Sequence, residues 1–229
     1  MPLDFDIFGE GIYTPRDAAR LLGASPQDVL RWTRGSGTND PLWHAHYQFM
    51  GDTTEISFID LVEIRAVRAL RKAGISLQAI RFAIKCAEEK YGIQRPLSSL
   101  QFKTDGTEIL MEAVEQDGEY VSLAAKRPGQ KVFAKLISQS VKDLEYEGGQ
   151  AARWRPEKSP DVIIDPRRSF GAPILDDYGI STDTIYKDHQ AGQSPAYLAK
   201  VYELPKKLVG EAINFEQALD IGVPAEKNG

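Results

Sequence analysis

The sequence predicts a mainly α fold with small β elements, an α+β chain, and three observations carry that expectation. Helix-opening pairs of Ser or Thr followed by Pro stand at Thr14-Pro15, Ser25-Pro26 and Ser194-Pro195. Glycines sit where the helices so opened would stop, as at Gly23 and Gly92. Strand-like alternation is confined to short runs near residues 42–58, 102–123 and 162–175.

At 229 residues the chain is long enough for two or three folded units, and with 42% hydrophobic and 27% charged residues it has ordinary globular material for their cores. Residues 1–10 are acidic rather than basic, and no run of about 18 apolar residues follows, so a cytoplasmic location without a membrane partner is expected. A single cysteine, Cys86, excludes an internal disulfide and a multi-cysteine metal site.

The net charge of −5 argues against nucleic-acid binding over the whole surface, but the charge is unevenly spread. Residues 11–95 carry 12 Lys/Arg against 9 Asp/Glu, whereas 161–229 carry 7 against 11. The first part is suited to phosphate and the last to another kind of partner.

Thr14 reads as the cap of a helix over about 15–22 with Pro15 in its first turn, and Ser25 as the cap of a second reaching about Arg34 before Gly35-Ser36-Gly37. Two short helices joined by about three residues form a helix-turn-helix. Ala19, Leu22, Val29 and Trp32 would make its apolar joint, turning Gln27, Arg31 and Arg34 outward. Runs at 42–49 and 55–58 around Gly51-Asp52-Thr53-Thr54 then read as a β-hairpin wing. His44 and His46 would share one strand face, but no further ligands lie nearby and no metal is expected. Two helices follow, opened by Ser57 and Ser76. Arg65, Arg68 and Arg71, spaced i, i+3, form a basic stripe on the first of them.

Residues 11–92, with "YTPRDAARLLGASPQDVLRW" in the helix-turn-helix position, resemble the N-terminal DNA-binding domain of the MerR family. The resemblance implies that the second helix enters the major groove with Gln27, Arg31 and Arg34 as contact residues, supported by Arg16, Arg20 and the wing residues His46 and Gln48, with Arg65 and Arg68 toward phosphate. Trp32 and the lack of a long coiled-coil helix after the fourth helix depart from that family, so dimerisation is expected elsewhere in the chain.

In a middle region, 97–156, Asp105-Gly106 and Asp117-Gly118 separate short alternating runs and predict a three-stranded meander, followed by a helix over about 130–144. A Pro-rich link at Pro156 and Pro160 leads to two short strands around Phe170-Gly171. Helices are then predicted from Ser181 or Thr182 to Gln190, from Ser194-Pro195 to a stop before Pro205, and from Pro205 onward.

Residues 161–221, through "VIIDPRRSFGAPIL", "YGISTDTIYKDHQAGQSP" and "VYELPKKLVGEAINF", resemble the small helix-turn-helix-like domain found at the end of VapB-type antitoxins. Together the two resemblances imply an antitoxin that neutralises a PIN-like ribonuclease toxin by direct binding and autoregulates its operon through operator DNA, acting as a homodimer without a cofactor. An arginine placed among a nuclease's metal-binding carboxylates would exclude its cation. Arg167 and Arg168, then Arg153 and Arg155, are the candidates for this; Tyr197, Tyr202 and Phe215 would instead block sterically.

Phosphate-loop, dinucleotide and nucleophile-elbow patterns are absent from 97–156, and Asp176-Asp177 beside Asp165 and His189 reads more simply as turn decoration, so no enzyme is expected. The alternative is a free-standing MerR-like regulator answering to a small organic ligand.

Overall fold

The computed structural model describes residues 8–37, 39–116 and 130–222. Short helices dominate, with one two-stranded and one three-stranded antiparallel sheet, as an α+β chain should show.

Helix α1 (Pro15–Leu22) opens with a reciprocal cap. The Asp17 amide donates to Thr14 Oγ1 at 3.2 Å and the Thr14 amide donates to Asp17 Oδ2 at 3.2 Å. It closes at Gly23 in the left-handed region. Helix α2 (Pro26–Arg34) follows, the Asp28 amide donating to Ser25 Oγ at 3.0 Å. Helices α3 (Phe58–Lys72) and α4 (Leu77–Tyr91) come next, the latter capped by Ser76 and ended by Gly92.

The expected wing is not a hairpin. Residues His46–Met50 form a 3₁₀ turn, and the 55–58 run contributes only an isolated bridge from Ile56 to Tyr13. The buried residues of the first run are Leu42, Trp43 and Tyr47; the neighbours Leu42 and Trp43 both turn inward, whereas a strand would send them to opposite faces. The Tyr47 hydroxyl donates to the Gly11 carbonyl at 2.6 Å, and the Trp43 indole N–H donates to Asp60 Oδ1 at 2.8 Å.

The expected meander is also overturned. Residues Leu100–Gln116 form one helix, α5, and Asp117-Gly118 lies outside the described residues. Gly106 is not a turn glycine: a Cβ there would stand 2.8 Å from the Phe102 ring and 3.1 Å from Ile137 Cδ1. It is small so that α5 can close on its neighbours. Helix α6 (Gln130–Ser140) is four residues shorter than the expected 130–144, because Leu144–Glu147 becomes strand β1, paired with β2 (Gln150–Trp154).

Strands β3 (Val162–Ile163), β4 (Ile174–Leu175) and β5 (Ile180–Ser181) form the three-stranded sheet, with Val162 opposite Leu175 and Leu175 opposite Ile180. Helices α7 (Thr182–Gln190), α8 (Pro195–Val201) and α9 (Lys206–Gly222) follow at the expected start signals.

Contacts divide the chain into two compact units that are not consecutive in sequence. One comprises Met1–Leu30, His46–Phe58 and Ala152–Gly229; the other comprises Arg31–Ala45 and Ile59–Ala151. This grouping differs from the expected division into 11–92, 97–156 and 161–221. Within the first unit, Val162, Leu175, Ile185, Leu198, Val209 and Ile213 are among the residues of the C-terminal core, and α1 lies against α9. An eight-residue helix has too small an apolar face to be stable alone and takes its partner from the other end of the chain. Within the second unit, α4 packs on α5 and α5 on α6.

Candidate functional site

Two sets of predicted residues are on the surface. Along α2, Gln27, Arg31 and Arg34 are exposed while Val29, Trp32 and Thr33 are buried, so the helix has one polar, cationic face at i, i+4, i+7. Arg16 on α1 is exposed too, and so are His46 and Gln48, on the 3₁₀ turn instead of a wing strand.

Arg20 points elsewhere. Its Nη1 is 2.5 Å from Glu216 Oε2, and its Nε and Nη2 donate to Asp220 Oδ1 at 2.9 and 2.7 Å. Arg65 is paired with Asp143, and Arg68 is half-buried, its pKa pulled down by desolvation. The supposed basic stripe of α3 is therefore largely turned to internal contacts. Arg71 completes it by donating to the Ile75 carbonyl at 2.7 Å.

The second surface is the loop from Asp165 to Ala172 in the first unit. Ser169, Phe170 and Gly171 all have positive φ, at 47°, 53° and 85°, a costly state for the two residues that carry side chains. The loop is fixed by the Ile12 amide donating to the Phe170 carbonyl and the Tyr13 hydroxyl donating to the Gly171 carbonyl, both at 2.9 Å. Burial and the neighbouring Tyr47 and Asp165 push the Tyr13 phenol's pKa far up, so it stays a donor. Held in this way, the Phe170 ring is 56% exposed and stands 6.5 Å from the ring of Phe8.

The arginines of this region differ in how they are held. Asp176 accepts from Arg155 Nη2 and Arg168 Nη1, each at 2.6 Å, and the two cations outweigh its desolvation to keep its pKa low. Arg167 meets Asp165 Oδ1 at a longer 3.3 Å and is the more exposed side chain; Arg153 on β2 is half-buried. Of the expected aromatic patch, Tyr197 is exposed and Tyr202 is half-buried, its hydroxyl donating to Asp188 at 2.7 Å. Phe215 is a core residue and is removed from any exposed patch: on α9 it falls on the face that packs against Ile185 and Leu198.

Beside this loop lies a cleft of about 360 Å³ lined by Ile12, Arg20, Phe170, Pro173, Lys187 and Glu216, among others. Sequence reasoning missed Glu216 and Asp220. The signal was present: Glu216 continues the apolar stripe of Val209, Ala212 and Ile213, and a carboxylate on a buried stripe requires a partner.

No protein-family model matches the chain. Over 233 aligned residues, 93% of this chain and 96% of the other, it is 24% identical to the "Putative antitoxin VapB45" of Mycobacterium tuberculosis. The chain is a distant relative of a protein named as a putative VapB antitoxin. The crystal structure of Rv2018 from Mycobacterium tuberculosis shares its fold, with a TM-score of 0.68 at 23% identity over 90% of this chain and 98% of that one. The VapB-like relationship thus spans both ends of the chain, including the parts that meet in the first unit. Among the described residues no helix is long and apolar enough to cross a membrane.

Proposed function

We propose that this chain is the antitoxin of a type II toxin–antitoxin system, that it captures a PIN-like ribonuclease by direct binding, and that as a homodimer it represses its own operon. The observation that carries the reading is the end-to-end similarity to the "Putative antitoxin VapB45", at 93% coverage of this chain. The exposed face of Gln27, Arg31 and Arg34 supports the operator half: a short helix presenting an amide at i and cations at i+4 and i+7 matches what a major groove and its phosphates take.

For capture, Arg167 and Phe170 are the leading residues. Arg168 and Arg155 would have to leave Asp176 before entering a nuclease's carboxylate cluster, whereas Arg167 is the more exposed arginine of the loop pair. An exposed aromatic beside a half-exposed arginine is the composition of an interface hot spot, and the strained backbone beneath Phe170 fits a residue kept for contact rather than for stability. Tyr197 on α8 extends the apolar contribution.

The test is growth rescue. Cells expressing the toxic product of the reading frame beside this gene should recover when the wild-type chain is supplied and fail to recover with Arg167→Ala/Phe170→Ser. Equal rescue by the variant would move the capture surface away from the loop, and lack of rescue by wild type would reject the antitoxin reading.

The cleft of about 360 Å³ favours a second reading, a regulator that answers to a small ligand. Operator affinity that shifts with a metabolite in the absence of any protein partner would select it.

A further inference from the structure

Arg20 is predicted from the sequence to support DNA binding directly, but its guanidinium is committed inside the first unit. Four contacts tie it to α9: Nη1 to Glu216 Oε2 at 2.5 Å, Nη2 to the Glu216 carbonyl at 3.3 Å, and Nε and Nη2 to Asp220 Oδ1 at 2.9 and 2.7 Å. The far ends of both carboxylates are held as well. The Thr182 hydroxyl donates to Glu216 Oε1, and the Tyr186 hydroxyl to Asp220 Oδ2 at 3.0 Å. Glu216 has 0% exposure, so its charge is balanced by Arg20 or left uncompensated in the interior. Burial opposes charge on Arg20, yet the hydrogen bonds to Glu216 and Asp220 raise its pKa.

Helix α1 bears on its other side the turn that starts α2: the Ala24 amide donates to the Ala19 carbonyl at 2.9 Å, one residue before Arg20. Resting on the proposed reading of operator DNA by α2, the geometry points to Arg20 as a positioning residue. It fixes α1, and through the 23–25 turn the start of α2, by gripping Glu216 and Asp220 of α9, and makes no contact with phosphate.

The two roles predict opposite signs for the acidic partners. If Arg20 touched phosphate, removing a nearby carboxylate would strengthen binding by relieving repulsion, and removing Arg20 would lower the salt dependence by roughly one counterion. As a positioning residue it requires Asp220, so losing either should weaken binding alike.

The experiment measures the affinity of the full chain for a duplex carrying the region upstream of its own gene, across a salt series, for wild type, Arg20→Met, Arg20→Lys, Asp220→Asn and the double Arg20→Met/Asp220→Asn. The Asp220 side chain is 44% exposed whereas Glu216 is fully buried, so the Asp220 variant keeps the measurement possible even if Arg20→Met folds poorly. The result expected is a several-fold loss for Arg20→Met and for Asp220→Asn, no further loss in the double variant, partial recovery in Arg20→Lys, and an unchanged salt slope throughout. Tighter binding by Asp220→Asn, additive losses, or a salt slope reduced in Arg20→Met would overturn the positioning role while leaving operator binding intact. Wild type that fails to bind the duplex would overturn the operator reading itself, and this inference with it.

Discussion

The Tyr13 hydroxyl donates to the carbonyl oxygen of Gly171 at 2.9 Å across 158 positions of sequence, and no side chain fits at residue 171 while it does. A Cβ on Gly171 would lie 2.1 Å from Tyr13 Oη, and φ there is +85°. The N-terminal segment and the strained loop thus depend on one another.

Gly171→Ala therefore meets a clash and backbone strain together and should destabilise the protein by about 2–4 kcal/mol. Tyr13→Phe, which strands the carbonyl without changing shape, should cost about 1–3 kcal/mol. Chemical denaturation of the two variants checks the order; a Gly171→Ala protein as stable as wild type would show that the loop is not pinned.

Phe170 should separate stability from capture. Because its ring is exposed and its φ is +53°, Phe170→Gly should leave stability unchanged or raise it by up to about 1 kcal/mol, while weakening capture of the toxin. Thermal melts alongside partner-binding titrations test this. Loss of stability would place Phe170 among the structural residues.

Stability should fall as pH rises through the weakly acidic range. Burial pushes the Glu63 carboxyl up to about 7 despite Arg95 nearby and two hydrogen bonds from Ser98, at 2.9 and 2.8 Å. The folded chain then holds a proton that the unfolded chain, with an ordinary carboxyl near 4.5, has released. The stabilisation is complete below the unfolded value and gone above the folded one, with a steepest slope of about 1.4 kcal/mol per pH unit. Glu63→Gln should flatten that part of the pH–stability curve; an unaltered curve would mean Glu63 titrates normally.

Arg31→Ala with Arg34→Ala should weaken operator binding by about 1–3 kcal/mol or more at fixed salt. Unchanged gel-shift affinity would remove this face of α2 from the DNA interface.

How much the sequence disclosed depended on the range of the interaction. Thr14, Ser25, Ser76, Ser181 and Ser194 announced their helices because a cap is made with amides two or three positions on. Gly106 misled because its smallness answers to Ile137, thirty-one residues away, as well as to Phe102, and nothing local tells a packing glycine from a turn glycine. The wing was misread because Trp43 and Tyr47, four positions apart, share a face in a strand and in a helical turn alike, so their spacing does not tell the two apart. Arg31 and Arg34 stand on the exposed face where helical periodicity put them. Arg20 belongs to that same exposed-looking pattern, but its partners are 196 and 200 positions distant and no local rule reaches them.

The most direct measurement is the mass, by light scattering after size-exclusion chromatography, of the chain co-expressed with the product of the neighbouring reading frame. An antitoxin predicts one stable species containing both proteins, with the RNA-cleaving activity of the partner silenced. Two separate peaks, with that activity undiminished by added chain, would contradict the account.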